Sequence, residues 1–169
     1  MEKNKEIILN EIMGNFYETS EELDDVNLTF FNKHIGWFSE MKRQDLYSRI
    51  DWFCVDKKGR NCSVELKTRF NDIFKYETLF IEPDKYDAMI EKHKNEGHIP
   101  IYINFLQDFK HVAVFDLRKF NRSNVEILDT LIFNPGPKEI QLVQRLLLPV
   151  REASYYEYDE DNKKYIKRW

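Results

Sequence analysis

Cysteine occurs only twice in these 169 residues, at positions 54 and 62, which is too few for a disulfide framework or for a cysteine-built zinc or iron–sulfur site. Glycine and proline number five each, and no Gly-rich phosphate loop, Gly-x-Ser-x-Gly elbow or internal repeat is formed from them. Nucleotide hydrolysis and serine-hydrolase chemistry therefore lack their usual signatures. The four histidines, 34, 93, 98 and 111, are dispersed with no partner at zinc spacing. Positive charge is also short: the formal net charge is −4, so any nucleic-acid affinity must come from a local basic patch rather than a global excess. No apolar run is long enough to span a bilayer, and the start Met1-Glu-Lys-Asn-Lys has no secretory pattern. These absences predict a cytoplasmic protein with no membrane association, its two cysteines held as small buried thiols.

What is present is core-forming material. Hydrophobic residues make up 42% of the chain and aromatic residues 15%, enough for one domain over 1–169. Ile8, Leu9, Ile12, Met13 and Phe16 recur at helical spacing and predict an amphipathic helix over Lys3 to Tyr17. A second helix is expected to start at Glu82-Pro83-Asp84 and stop at Gly97, with Tyr86, Met89, Ile90 and His93 on one face. Ile99 to Leu106 and Val112 to Leu117 read as strands. Lys138 to Leu148 reads as a further helix with Ile140, Val143, Leu146 and Leu147 inward, and 154–169 as a hairpin turning at Asp159-Glu-Asp-Asn162.

The most informative stretch is Arg49 to Arg69. Ile50-Trp-Phe-Cys-Val55 and Cys62-Ser-Val-Glu-Leu66 are strand-like, and the polar residues between them supply a turn with Gly59 as the candidate for positive φ. Side chains alternate along strands, so Asp51 shares a face with Glu65 and Lys67 only if paired residue numbers sum to an even value. A three-residue loop centred on Gly59 meets that condition and pairs Asp51 with Lys67. The opposite face then collects Ile50, Trp52, Cys54, Cys62, Val64 and Leu66 as a core surface. Two carboxylates held close together suit a hard cation such as Mg²⁺ or Mn²⁺, with an ammonium nearby to orient a water or offset phosphate charge. Asp51 and Glu65 are the candidate ligands, Lys67 the orienting cation, and the Leu66 backbone carbonyl a further candidate ligand.

The tripeptide acid-x-lysine is uninformative by itself. It occurs five times, at Glu40, Asp56, Glu65, Asp108 and Asp161, where chance gives about three. Only Glu65 to Lys67 lies in a strand pattern with an aspartate on the preceding strand; a salt-bridged, half-exposed sheet face is the alternative reading of the same residues.

The order helix, Asp51 on one strand, Glu65-x-Lys67 on the next, helix, then two more strands resembles the PD-(D/E)xK nuclease superfamily, which includes restriction endonucleases and Holliday junction resolvases. The resemblance covers about 4–120. Ile50 stands where proline often precedes the aspartate, and no Gln-x-x-x-Tyr follows the lysine. The resemblance implies an α/β fold, a central mixed β-sheet flanked by helices in a restriction endonuclease-like core. It also implies catalytic roles for Asp51, Glu65 and Lys67, a metal cofactor, and a first-helix glutamate, Glu6 in preference to Glu11, near the metal. The expected activity is divalent-metal-dependent phosphodiester hydrolysis, in DNA, with Arg49, Lys57, Lys58 and Arg69 as candidate phosphate contacts. Cutting both strands of a duplex needs two sites, which suggests a homodimer. A non-catalytic member of the same fold, binding nucleic acid or protein, is the competing expectation.

Overall fold

The computed structural model describes residues 20–45, 48–69, 76–106, 110–134 and 139–169. The expected helix over Lys3 to Tyr17, with Glu6 and Glu11, lies outside the described residues. The chain is mixed α/β. It runs through α1 (Ser20–Ile35), β1 (Phe38–Arg43), β2 (Trp52–Asp56), β3 (Asn61–Thr68), β4 (Thr78–Ile81), α2 (Pro83–Glu96), β5 (Ile99–Phe105) and β6 (His111–Asp116). It continues with β7 (Glu126–Asn134), β8 (Glu139–Pro149), β9 (Ser154–Asp159) and β10 (Lys164–Lys167). Seven strands form one sheet in the order β1-β2-β3-β5-β6-β9-β10, and β4-β8-β7 form another. The pair β3–β5 is parallel, the connection that carries α2, and every other neighbour in the large sheet is antiparallel.

Each face of the large sheet is covered by a different layer. Leu28 and Phe31 of α1 pack against Trp52, Cys54, Cys62, Val64, Leu66, Ile103 and Phe105. On the other side, Tyr86 and Met89 of α2 join Leu79, Ile81, Leu146 and Leu148 of the small sheet over Tyr102, Ala113 and Phe115. Coverage on both sides explains why Cys62 to Leu66 is buried without interruption, Ser63 and Glu65 included. Helix α2 has the expected ends: Pro83 in its first turn, and Gly97 at φ 75° donating its amide to His93 O. The strands read from the sequence at 99–106 and 112–117, and the terminal hairpin, are present as β5, β6, β9 and β10. Cys54 and Cys62 face each other across the β2–β3 ladder as free, buried thiols, and burial pushes them up to about 12 and about 11.

Three expectations are corrected. The helix expected over Lys138 to Leu148 is, from Glu139 on, strand β8 (Glu139–Pro149): its inner end alternates, with Leu146 and Leu148 buried, and it is paired on both sides by β4 and β7. The apolar spacing satisfied both periods, and the neighbouring strands decided between them. At the other end Leu131, Ile140 and Leu142 are exposed. The β2–β3 loop consists of Lys57, Lys58 and Gly59, closed by the Asp56 amide donating to Arg60 O at 2.9 Å, so it is centred on Lys58 and the register is shifted by two residues. Gly59, at φ 74°, takes the left-handed position such a loop requires. Ile50 joins the α2-side cluster and not the Trp52 face, because Arg49 to Asp51 form a bend rather than strand.

Candidate functional site

The register places Trp52 opposite Val64, so Asp51, one residue before β2, comes opposite Glu65. A shift of two residues conserves parity, and Asp51, Glu65 and Lys67 meet on the α2 side of the sheet. Asp51 Oδ2 accepts from the Leu66 amide at 3.3 Å. In an extended strand the N–H and C=O of one residue point to the same side, so the Leu66 carbonyl faces the same gap beyond the start of β2.

Lys85, in the first turn of α2, links the two acids. Its Nζ donates to Asp51 Oδ1 at 2.6 Å and to Glu65 Oε2 at 2.9 Å. Lys67 Nζ lies 3.5 Å from Glu65 Oε1, an ion pair without a hydrogen bond, and that buried oxygen has no hydrogen-bond partner. Glu65 is fully buried. Burial first, then the Asp51 charge and the hydrogen bond between the two carboxyls, push the Glu65 pKa well above the ordinary glutamate value, against the pull of Lys85 and Lys67. For Asp51 burial works against ionisation, but the hydrogen bond with Glu65 and the contacts of Lys85 outweigh it and hold its pKa low. Of the two acids, Glu65 is therefore the one shifted towards the protonated form. Both lysines lose hydration, and the surrounding carboxylates more than compensate, raising their pKa values and keeping them charged.

A third acid reaches the site from the other layer. Asp24, near the start of α1, accepts from the Thr68 amide at 2.9 Å and the Thr68 hydroxyl at 2.6 Å, and Asn27 donates to that hydroxyl at 2.8 Å. Burial raises the Asp24 pKa against these bonds and the nearby Lys67. Asp24, Asp25, Arg43, Gln44, Asp45, Asp51, Trp52, Lys67 and Lys85 line a pocket of about 90 Å³, room for a few waters.

The residues fit a hard divalent cation. One ammonium touches both carboxylates, so they are close enough to share a cation, and the second, buried oxygen of Glu65 has an ammonium 3.5 Å away but no hydrogen bond among the described residues, which leaves it open to a ligand contact. Among the described residues no group of three or more His, Cys, Asp and Glu side chains is arranged to hold a metal. The remaining ligands would be backbone, water and substrate oxygens, the habit of Mg²⁺.

The candidate phosphate contacts are scattered. Lys57 and Lys58 sit at the far tip of the hairpin, past Asp56, which is itself about 17 Å from Asp51 at strand rise, and with Trp37, Arg60 and Arg118 they border a separate cavity of about 390 Å³. Arg49 is exposed, two residues before Asp51 in the chain. Arg69 turns inward: it donates to Asn104 Oδ1 at 2.7 Å, Phe80 O at 2.5 Å and the Tyr102 hydroxyl at 2.6 Å, and covers the Phe80 ring. Lys85 and Asp24 were not singled out from the sequence. Lys85 had a usable signal, since it lies one turn before the inward-facing Met89 and so on the sheet side of α2. Asp24 had none beyond being one of many acids. Compared with known proteins, the chain matches no family model and no curated sequence.

Proposed function

We propose that this chain is a divalent-metal-dependent nuclease that hydrolyses phosphodiester bonds in DNA. The observation that carries the reading is the convergence of Asp51, Glu65 and Lys67 on one face of the hairpin, with the two carboxylates near enough to be bridged by a single cation. The order of elements supports it: α1, the antiparallel β1-β2-β3, then α2 leading to β5 parallel to β3, with the aspartate before β2 and Glu-x-Lys in β3, agrees with a restriction endonuclease-like core.

Asp51 and Glu65, with the Leu66 carbonyl, would hold Mg²⁺ or Mn²⁺. A cation bound there supplies Lewis-acid polarisation of the phosphodiester and a water of lowered pKa. Lys67, only partly exposed and directed at the acids, orients the attacking water and offsets charge growing on the phosphoryl oxygens. Asp24 accepts from the backbone and hydroxyl of Thr68, which fixes the strand end that presents Lys67. Arg43, which lines the pocket, and the exposed Arg49, two residues before Asp51 in the chain, are the cations available to meet the backbone of a nucleic acid. Cleavage of both strands would require two such sites, hence a homodimer.

The test is cleavage of single-stranded, duplex and branched DNA in Mg²⁺ or Mn²⁺. Activity should disappear with chelator and in Asp51→Ala, while a wild-type protein that cuts none of these overturns the reading. One observation favours a second reading, a non-catalytic protein of this fold: Lys85 already neutralises both acids. Calorimetric Mn²⁺ titration separates the two, because the nuclease must take up metal and lose that uptake in Asp51→Ala.

A further inference from the structure

Lys85 is an unusual residue for its place. A cation in the first turn of a helix opposes the helix dipole, whose positive end lies there, and Asp84 beside it has the favoured charge. What holds the ammonium is the acid pair: two charge-assisted hydrogen bonds of 2.6 and 2.9 Å to oxygens of different carboxylates. Its side chain is 19% exposed and Glu65 not at all, so bulk water does not substitute for that contact. The bridging position between two hard oxygens is also where a shared divalent cation must go, and like charges do not occupy one position in a poorly solvated site.

We propose that Lys85 is a built-in counter-ion occupying the cation position of the site, and that a divalent metal ion binds Asp51 and Glu65 only by displacing it. This rests on the metal-dependent reading above and adds regulation to it. The acid pair then has two states: closed, with α2 tethered to the start of β2 and to β3 through Lys85, and loaded, with the ammonium released towards the pocket shared with Lys67 and Arg43. The tether stabilises the acids without metal, which removes the penalty of an uncompensated buried carboxylate. It also sets a threshold, since the apparent metal affinity is the intrinsic affinity reduced by the fraction of sites in which Lys85 is bound.

Two measurements on the full chain test this. In calorimetric Mn²⁺ titrations at pH 8.5, Lys85→Met, which keeps the length of the side chain and removes its charge, should bind at least about tenfold more tightly than wild type. In wild-type protein, acetylation of Lys85 followed by mass spectrometry should be slow in chelator and several-fold faster in saturating Mn²⁺, with Lys57 and Lys58 at the far tip as unchanged references. Equal or weaker Mn²⁺ affinity in Lys85→Met overturns the proposal. So does Mn²⁺ uptake by wild type without a change in Lys85 labelling, which also covers a variant that fails to fold; in both cases the metal site itself stands. Absence of Mn²⁺ uptake by wild type and variant alike removes the site and the displacement together.

Discussion

The two ends of the β2–β3 hairpin are built from the same residue types and do opposite things. At the tip, Asp56 accepts from the Lys58 and Arg60 amides at 2.8 and 2.9 Å and from Arg60 Nε at 2.7 Å, all within four residues. Hydrogen bonds, that of the Arg60 amide foremost, hold its pKa below the ordinary value. At the base, among the described residues, Glu65 has no backbone donor; its partners are Lys85, twenty residues away on α2, and Lys67. Burial there raises its pKa. Each acid stands two residues before a lysine, so the tripeptide does not distinguish them. A carboxylate satisfied by its own turn is a structural cap. One kept dry, with an oxygen that has no hydrogen bond among the described residues and cations drawn from its own strand and from α2, has the surroundings of a site.

Parallel substitution at the two ends should separate them most strongly. Asp51→Asn and Glu65→Gln should each lower metal-dependent cleavage by about 10³-fold, and Lys67→Ala by about 10²-fold, with circular dichroism unchanged. Asp56→Asn should leave cleavage within about twofold. Comparable losses at both ends would mean that the base is no more a site than the tip. Arg69→Ala carries the next largest effect, on stability: removing a guanidinium that serves acceptors on buried Asn104 and Tyr102 and on half-buried Phe80 should cost about 2 kcal/mol in urea unfolding, without altering the salt dependence of DNA binding.

The two ends should also titrate with opposite signs. Between the ordinary glutamate value of 4.5 and its raised folded value, folded Glu65 keeps a proton that the unfolded chain has released, so stability falls as pH rises through that window. Asp56 is depressed, so its contribution is present above 3.8 and is lost as pH falls through the folded value. Urea midpoints from pH 3 to 8 in chelator should show Glu65→Gln flattening the upper limb and Asp56→Asn the lower one; the same limb flattened by both would end the distinction. The smallest effect is expected from Gly59→Ala at the tip. Its φ of 74° disfavours a side chain by about 1 kcal/mol although nothing crowds the position, and cleavage should not change.

Much of this was legible from local pattern. Strand alternation and the need for an odd turn put Asp51 with Glu65 and Lys67, and the result survived a misplaced loop centre because a two-residue slip preserves which face a side chain takes. Pro83 and Gly97 marked α2 because each has a backbone restriction or freedom that operates at a helix end. Lys138 to Leu148 reads as a helix because Ile140, Val143, Leu146 and Leu147 meet a helical spacing, while Ile140, Leu142, Leu146 and Leu148 meet a strand one, and part of the pairing that settles it comes from β4, more than sixty residues earlier. Arg69 looked like a surface phosphate contact, since nothing near it in the chain reveals that Asn104, Tyr102 and Phe80 converge around it.

Which side chains of one hairpin share a face follows from local sequence alone, through a period of two and the parity of a short turn. What those side chains meet is set by packing between elements distant in the chain. The Lys85 bridge, the Asp24 contact with Thr68 and the dryness of Glu65 depend on two helices packing over opposite faces of one sheet, and contacts between residues 20 to 44 positions apart leave no periodic mark on the chain.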